Sequence, residues 1–585
     1  MIVRMKKIVV ISQAGRREAT LAALQDLGVM HVQPLEKPFA ASAAEVEQQL
    51  QRLVRATALL AAAQGPPSAT RITEQPWQNV VADAIRFDEQ REQTRDTRAD
   101  LSQQIEDLAI WGAFDPQSIA ALAARGINVK LYRCAPQSVP APPAGCAFHE
   151  VYRDTHTVAF VAVSQARIVL LIPEVQLPEE SSAHLAARAQ ACEQELVELE
   201  QRLAALQPLL PRLQAAHALL TDDLARAHAR DHVTDAGMLC YLQGFCPFDT
   251  LAQIEAAAHA HGWGLLSEDP GAGDAVPTLL RNPRWLRPVE TVFNFINTFP
   301  GYQERDISPV FYLFFSLFYA MLIGDACYGA IYLIALIAVH AWKGARIPTQ
   351  PLYLLYVLNI ATIIWGVLTG SYFGVLPNVA LLRALKILDT GTTPLMMSVC
   401  FTIAALHITV AHVWNALRML NSWKCVAELG RIMMTWGAFF LARALLLGHP
   451  FPPVMLWVGG TGIALALVFS GALTNPADLF QFPFGVINFF GDTVSYLRLF
   501  AVGFAGAAVA KSFNDLALGV GFNSIVAGLG AALILICGHC LNLVLGPLGV
   551  LVHGLRLNVL EFSGHLGQEW TGTRYHPLAR TEAKG

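Results

Sequence analysis

Hydrophobic and polar positions change their rhythm once along the chain, near residue 309. Upstream, apolar residues recur singly among many charges; downstream they run together in long stretches. The upstream part opens with "KKIVVIS", "RREATLAALQDLG" and "VMHVQPL", which read as strand, amphipathic helix and strand, with Gly28 ending the helix. Long helices are predicted over about 43–63 and 84–111, where Glu, Gln, Arg and Ala dominate and aromatics are few. Leu185, Ala189, Cys192, Leu196, Leu199, Leu203, Leu206, Leu210 and Leu213 step alternately by four and three, the seam of a coiled coil. Pro208 and Pro211 should interrupt it. Between the helices, "INVKLYRCAP" and "HTVAFVAVSQARIVLLIP" read as strands, and "MLCYLQGFCPFDTLAQIEAAAHAHGWGLL" as strand, turn and helix. Residues 1–285 are therefore expected to form two α/β lobes joined by an antiparallel helical rod, followed by a connector over 286–308.

Downstream, residues 309–342 exceed one span of about 20 residues and are broken by "GDACYG". They read as two helices joined at Gly324–Gly329, with Asp325 capping the turn. Further apolar segments lie at about 351–375, 395–420, 427–447, 453–472, 484–513 and 523–566, making eight membrane helices in a mostly α domain over 309–585. The last two are long enough to tilt strongly. With the first domain in the cytoplasm, Lys343, Arg346, Arg418, Lys424, Arg431, Arg574, Arg580 and Lys584 lie inside, against Arg383, Lys386 and Lys511 outside. The positive-inside rule favours that orientation, with both termini cytoplasmic.

Composition agrees with the division. The 585 residues are 54% apolar and 15% charged, against norms of about 45–50% and about 25%, and 63 of the 86 charged side chains fall in residues 1–308. A net charge of −4 without a basic stripe argues against nucleic-acid binding. The absence of any Gly-Lys dipeptide excludes a nucleotide-binding P-loop. No catalytic site, metal or cofactor is expected. The first apolar run, Ile8 to Ile11, is too short for a signal peptide and reads as a strand. "CGHC", Cys537 to Cys540, has redox spacing, but its apolar surroundings offer no support to a thiolate, so these cysteines read as packing residues.

The chemistry-bearing stretch is "GDTVSYLRLFAVGFAGAAVA", which places Arg498 at the middle of the seventh span. An arginine at the bilayer centre costs about 2.5–3.5 kcal/mol on translocon scales and cannot escape by deprotonating. At 100° per residue its helical face holds Gly491, Ser495, Val502, Ala505 and Val509, slim residues that let another helix pass closely. On the eighth span His539, Asn542, Gly546, Gly549, His553 and Arg556 share one face, and Glu561 follows. A polar stripe there points to a hydrated path; the plainer reading is contact between helices seven and eight.

"GDTVSYLRLFAVG" and "LVHGLRLNVLEFSG" resemble the seventh- and eighth-helix motifs of subunit I, also called subunit a, of V/A-type rotary ATPases. "FYAMLIGDACYGAIYL" resembles that family's first helical hairpin and "WGVLTGSYFGVL" its third helix; "PTLLRNPRWLRPVE" and "LQGFCP" are similar too. The resemblance implies a static stator subunit in a prokaryotic cell membrane, partnered by a rotating ring of proteolipid subunits, peripheral stalks and a catalytic head. It further implies two aqueous half-channels, with Arg498 matching the essential arginine between them and Arg556 the second one on helix eight. The histidine that eukaryotic members carry eight residues after the first arginine is Gly506 here, and their glutamate ten residues before the second is Gly546. Asp492, Ser495, His539, Asn542, His553 and Glu561 are the candidate substitutes. The rivals are a self-contained secondary transporter with Arg498 as substrate counter-ion, and a purely structural anchor. The length of the rod and the lack of paired broken helices count against a carrier.

Overall fold

The computed structural model describes residues 1–33, 42–63, 75–112, 116–166, 168, 170–175, 180–271, 273–344, 347–388, 393–521 and 523–580. Arg346 and Lys584, counted above among the inward cations, lie outside the described residues. The chain divides into two compact units. One comprises Met1–Ile8, Phe245–Glu255 and Leu266–His576; the other comprises the described parts of Val9–Gly244, Ala256–Leu265 and 577–580.

The elements begin with β1 (Met5–Gln13), α1 (Arg17–Leu27), β2 (His31–Val32), α2 (Ser42–Ala62), α3 (Trp77–Ala109), α4 (Pro116–Ala124), β3 (Asn128–Cys134), β4 (Cys146–Arg153) and β5 (Val158–Ser164). Then come α5 (Ser182–Leu206), α6 (Leu210–Asp231), β6 (Thr234–Ala236), β7 (Leu239–Pro247), α7 (Leu251–His261) and β8 (Gly264–Glu268). One sheet runs β2-β7-β1-β8 with β6 on β7, and β3-β5-β4 form a second, antiparallel sheet. Helices α2, α3 and α6 bury one apolar cluster that includes Leu53, Leu60, Val80, Ala84 and Leu213. Leu101 and Leu108 of α3 and Leu185 of α5 close a second cluster against Leu131 and Ala159 of the smaller sheet.

The leucine stripe is the buried face of α5 and α6: Leu185, Leu196, Leu199, Leu203 and Leu213 are all buried. The interruption falls where the prolines predict, as a short 3-10 turn over Gln207–Leu209. Helices α3 and α5 run in opposite senses, since Arg95 faces Glu200 and Arg98 faces Glu193. Exposed pairs of this kind set register more than stability.

After α8 (Pro288–Phe295) the apolar helices are α9 (Ser308–Ile323), α10 (Ala326–Lys343), α11 (Thr349–Thr369), the short α12 (Ala380–Ala384), α13 (Thr393–Arg418), α14 (Lys424–Leu447) and α15 (Pro453–Phe469). They continue with α16 (Pro476–Ser495), α17 (Leu497–Val520), α18 (Ile525–Gly549) and α19 (Ser563–Leu566). Among the described residues six helices are long and apolar enough to cross a bilayer; α9 and α15, at 16 and 17 residues, are shorter. Two of the six are compound: 45 residues over Pro476–Val520 and 42 over Ile525–Leu566. At 1.5 Å per residue each exceeds about 60 Å, twice the hydrocarbon thickness, and fits only by tilting or projecting out.

The core of this unit is built on α9, with Phe311, Phe315, Phe318 and Leu322 buried among residues of α11, α13 and α17. Gly324 takes a left-handed φ of 67° to end α9, and the Asp325 carboxylate accepts from the amides of Cys327 at 2.9 Å and Tyr328 at 3.3 Å. That is the expected cap; Asp325 also accepts from Ser371 at 2.8 Å and the Gly374 amide at 2.9 Å, tying the turn to the end of α11. Helices α14 and α15 meet backbone to backbone at Gly430 and Gly462, where a Cβ on either would lie 2.6–2.7 Å from the other's carbonyl oxygen. Cys537 and Cys540 are free and exposed on α18, so they face outward rather than into the packing.

Candidate functional site

The helix that sequence periodicity predicts as one span is broken immediately before its arginine. α16 ends at Ser495, α17 begins at Leu497, and the fully buried Tyr496 between them is anchored by its hydroxyl to His407 Nδ1 at 2.7 Å. Two residues on, Arg498 reaches Oε1 of Glu561 with its Nη1 at 3.6 Å, and Arg556 Nε lies 3.4 Å from the same oxygen. The Glu561 side chain is 4% exposed, so one buried carboxylate sits between two guanidiniums. The three groups together leave one positive charge uncompensated.

Arg556 and Glu561 should not share a helix face: five residues at 100° are about 140° apart. The last span, however, widens into π-helix over Val550–Gly554 and Leu557–Phe562, whose i→i+5 turns bring the two side chains together. Pro547 at the end of α18 removes an amide donor just before this stretch. The Leu543 carbonyl, four residues earlier, is satisfied by the Tyr332 hydroxyl at 2.7 Å. Polar groups freed inside a membrane helix need such a substitute.

Asp492 belongs to a second chain of contacts. Its Oδ2 lies 3.1 Å from His565 Nε2; His565 Nδ1 is 3.2 Å from His412 Nε2; His412 Nδ1 is 2.8 Å from Glu428 Oε2; and Glu428 is bonded in turn to Arg431. His412 and Glu428 are buried. A cavity of about 550 Å³ is bordered by Asp492, Glu561, His565, His412, Glu428 and Arg431. Arg498 Nη1, Glu561 Oε2 and His565 Nε2 are buried without a hydrogen-bond partner, the Asp492–His565 contact being close but misaligned. Orphaned polar atoms around a polar cavity mark a place built for water or a partner's group.

Sequence reasoning found Asp492 and Glu561 but missed His412, Glu428, Arg431 and His565. Arg431, counted as a loop charge, lies inside α14 against Glu428. The available signal was a carboxylate and a histidine inside consecutive apolar spans.

His539 and Asn542 do not join this cluster. The Tyr328 hydroxyl lies 2.8 Å from His539 Nδ1 and accepts from Asn542 Nδ2 at 3.1 Å. His539 Nε2 meets Asn514 Oδ1 at 3.2 Å, and Asn542 also donates to the Gly506 carbonyl at 2.9 Å. Asn514 is sixteen residues beyond Arg498 on α17, about 24 Å along the helix. This network ties α10, α17 and α18 together. His553 is half-exposed, one turn before Arg556, and Ser495 is half-exposed on the turn before Tyr496.

A separate cavity of about 400 Å³ runs along α17 from Lys511 to Leu499, with Ser371 and Gly374 at the Lys511 end. Two cavities thus approach Arg498 from opposite directions along its helix. The small-residue face is open on both sides of the break: Ala505 of α17 is exposed, and a Cβ added at Gly491 of α16 or Gly506 of α17 would meet nothing within 4 Å.

No protein-family model matches the chain. "V-type ATP synthase subunit I 1" of Treponema pallidum (strain Nichols) is 30% identical, with 99% of this chain and 100% of that protein covered. "V-type ATP synthase subunit I" of Borreliella burgdorferi is 26% identical at the same coverage. "A-type ATP synthase subunit I" of Methanocaldococcus jannaschii is 24% identical over 68% of this chain and 64% of its own length.

Proposed function

The chain belongs to the V/A-type ATP synthase subunit I family, and from that premise we propose that it is the static membrane subunit against which a ring of proteolipid subunits turns, each bearing a membrane-buried carboxylate. The observation that carries the reading is the placement of Arg498 between a cavity of about 550 Å³ bordered by Asp492 and Glu561 and one of about 400 Å³ that runs from Leu499 to Lys511. In this reading α9 and α15 complete eight crossings, both termini are cytoplasmic, and the cavities are the inner parts of two half-channels. Asp492, His565, His412 and Glu428 line the one on the Arg431 side. The other opens toward Lys511, with His539, Asn542 and Asn514 fixing α17, one of its walls, to α10 and α18.

The mechanism follows from charge. One uncompensated guanidinium charge beside the ring favours the ionised form of an arriving rotor carboxylate, which gives up its ion into the adjoining half-channel. The guanidinium itself holds its proton, so it cannot pass one across and seals the leak between the channels. The carboxylate must reload from the other channel before it can face lipid as a neutral group. Ions then cross only as the ring turns, driven by about 2.3 kcal/mol per charge per 100 mV. The open face at Gly491, Ala505 and Gly506 is shaped for a closely passing helix.

The helices α2, α3, α5 and α6, with their two sheets, serve as the stator arm that meets the peripheral stalks and catalytic head. The chain has no ATP site of its own in this account. Cysteines placed at Ala505 and on the outer helix of a ring subunit should cross-link within the intact complex. Absence of cross-links along this whole face, with efficient ones elsewhere on the chain, would refute the assignment.

A further inference from the structure

A third cavity, of about 660 Å³, has a lining almost wholly apolar and takes no part in the site above. Its walls are Val292 and Phe295 of α8, Ala335 and Val339 of α10, Leu355 of α11 and Leu551 beyond α18. That volume is in the range of pockets that hold drug-sized molecules. We propose that this groove binds one acyl chain of an anionic phospholipid, whose phosphate rests against Lys343 and Arg287.

Three observations commit the groove to that occupant. The first is depth. Along α11 it extends from Pro351 to Asn359, about 12 Å at 1.5 Å per residue, close to the roughly 15 Å of one leaflet's hydrocarbon. A transmembrane partner helix would need the apolar face to continue through the other leaflet. The second is the closed end. The hydroxyl of Tyr319 donates to Asn359 Oδ1 at 3.3 Å and that of Tyr332 to the Leu543 carbonyl at 2.7 Å, so the deep polar groups are already satisfied and favour hydrocarbon.

The third is charge at the mouth. Lys343 stands one helical turn beyond Val339, and Arg287 one turn before Thr291, which also lines the groove. Lys343 makes no ion pair among the described residues; its Nζ lies 5.9 Å from the Trp342 ring. Arg287 donates Nε to the Asn282 carbonyl at 3.1 Å and feels the Glu290 carboxylate, while its side chain stays exposed to solvent. Trp342 and Trp285 are 83% and 65% exposed, the tryptophan signature of headgroup depth. Cations at that level select anionic lipid. Leu555 also lines the groove, so the bound chain packs against the segment that presents Arg556.

The depth rests on α10 and α11 crossing a bilayer as proposed above, but lipid binding is measured apart from transport, and its failure would leave the role of Arg498 standing. The test places the intact complex in phosphatidylcholine nanodiscs with a trace of phosphatidylglycerol carrying a photoreactive acyl chain. Label should map to Ala335–Val339 and Pro351–Asn359 and fall several-fold with excess unlabelled phosphatidylglycerol, but not with extra phosphatidylcholine. Ala335→Trp or Leu355→Trp should abolish it. Lys343→Gln with Arg287→Gln should retain acyl labelling and lose the headgroup preference. Equal displacement by both lipids in the wild-type complex, which needs no variant to fold, would overturn the proposal; so would undiminished labelling in an assembled Trp variant.

Discussion

Arg498 Nη1 lies 3.6 Å from Oε1 of Glu561, the same oxygen that Arg556 Nε approaches to 3.4 Å. The carboxylate is 4% exposed, so its charge is tolerated only because both cations are present. Removing it leaves two guanidiniums facing each other without a counter-charge. Glu561→Leu is therefore expected to destabilise the membrane domain and to lower the yield of assembled complex. Glu561→Gln, which keeps a hydrogen-bonding side chain, should assemble better and still transport poorly. Thermal unfolding of the purified complex, with ATP-driven ion uptake alongside, separates the two effects; equal stability of both variants would contradict the pairing.

The His412–Glu428 contact at 2.8 Å links two buried groups on consecutive helices. His412→Asn, Glu428→Gln and the double variant should show a coupling energy of about 1–3 kcal/mol in stability. Each single change should slow coupled transport while uncoupled ATP hydrolysis by the detached head is unchanged. Simple additivity in the cycle would count against a working pair.

The network around Tyr328 behaves differently. Asn542→Ala leaves the Gly506 carbonyl without its side-chain donor and should destabilise the membrane domain by about 1–3 kcal/mol. Uptake per assembled complex should stay near wild type. A large fall in specific uptake at full assembly would move Asn542 from helix contact to ion path.

At Gly430 an added methyl would lie 2.6 Å from the Gly462 carbonyl oxygen. Backbone cannot yield cheaply there, so Gly430→Val should separate α14 from α15 and prevent accumulation of the protein. Overpacking of this kind costs about 1–3 kcal/mol or more. Normal abundance and thermal stability of Gly430→Val would show that the two helices are not held this closely.

Outside the membrane, the Asp274 carboxyl is held below the usual carboxylate range by a hydrogen bond from Lys7 Nζ at 2.9 Å and by the Gly271 amide. A depressed folded-state value stabilises at pH above the unfolded value near 3.9, and that contribution is lost as pH falls through the folded value. Wild type should therefore exceed Asp274→Asn in stability at neutral pH, with the gap closing on acidification below about pH 4. A gap that widens in acid would reverse the sign and refute the pairing.

How much of this was legible in sequence depends on what each residue needs in order to be read. Arg498 announces itself, because an arginine in an apolar run has no inexpensive explanation. The proline interruption at 207–209 and the cap at Asp325 are local, and local chemistry predicts them. The Arg556–Glu561 pairing was hidden because α-helical periodicity separates the two, and only the π-helical stretch reunites them. Arg431 looked like a loop charge because its partner Glu428 lies in the same first turns of α14, and the histidine completing the site, His412, belongs to another helix. His539 and Asn542 looked like a channel by their stripe, yet their partners Tyr328 and Asn514 come from two other helices that no single-helix pattern displays.

The central claim is that Arg498 serves the ion path rather than the fold. ATP-driven ion uptake in inverted membrane vesicles carrying wild type or Arg498→Leu, with assembly checked by pull-down, tests it most directly. The account predicts that uptake is abolished while the complex still assembles and its detached head still hydrolyses ATP. Uptake that survives in assembled Arg498→Leu complexes would contradict it.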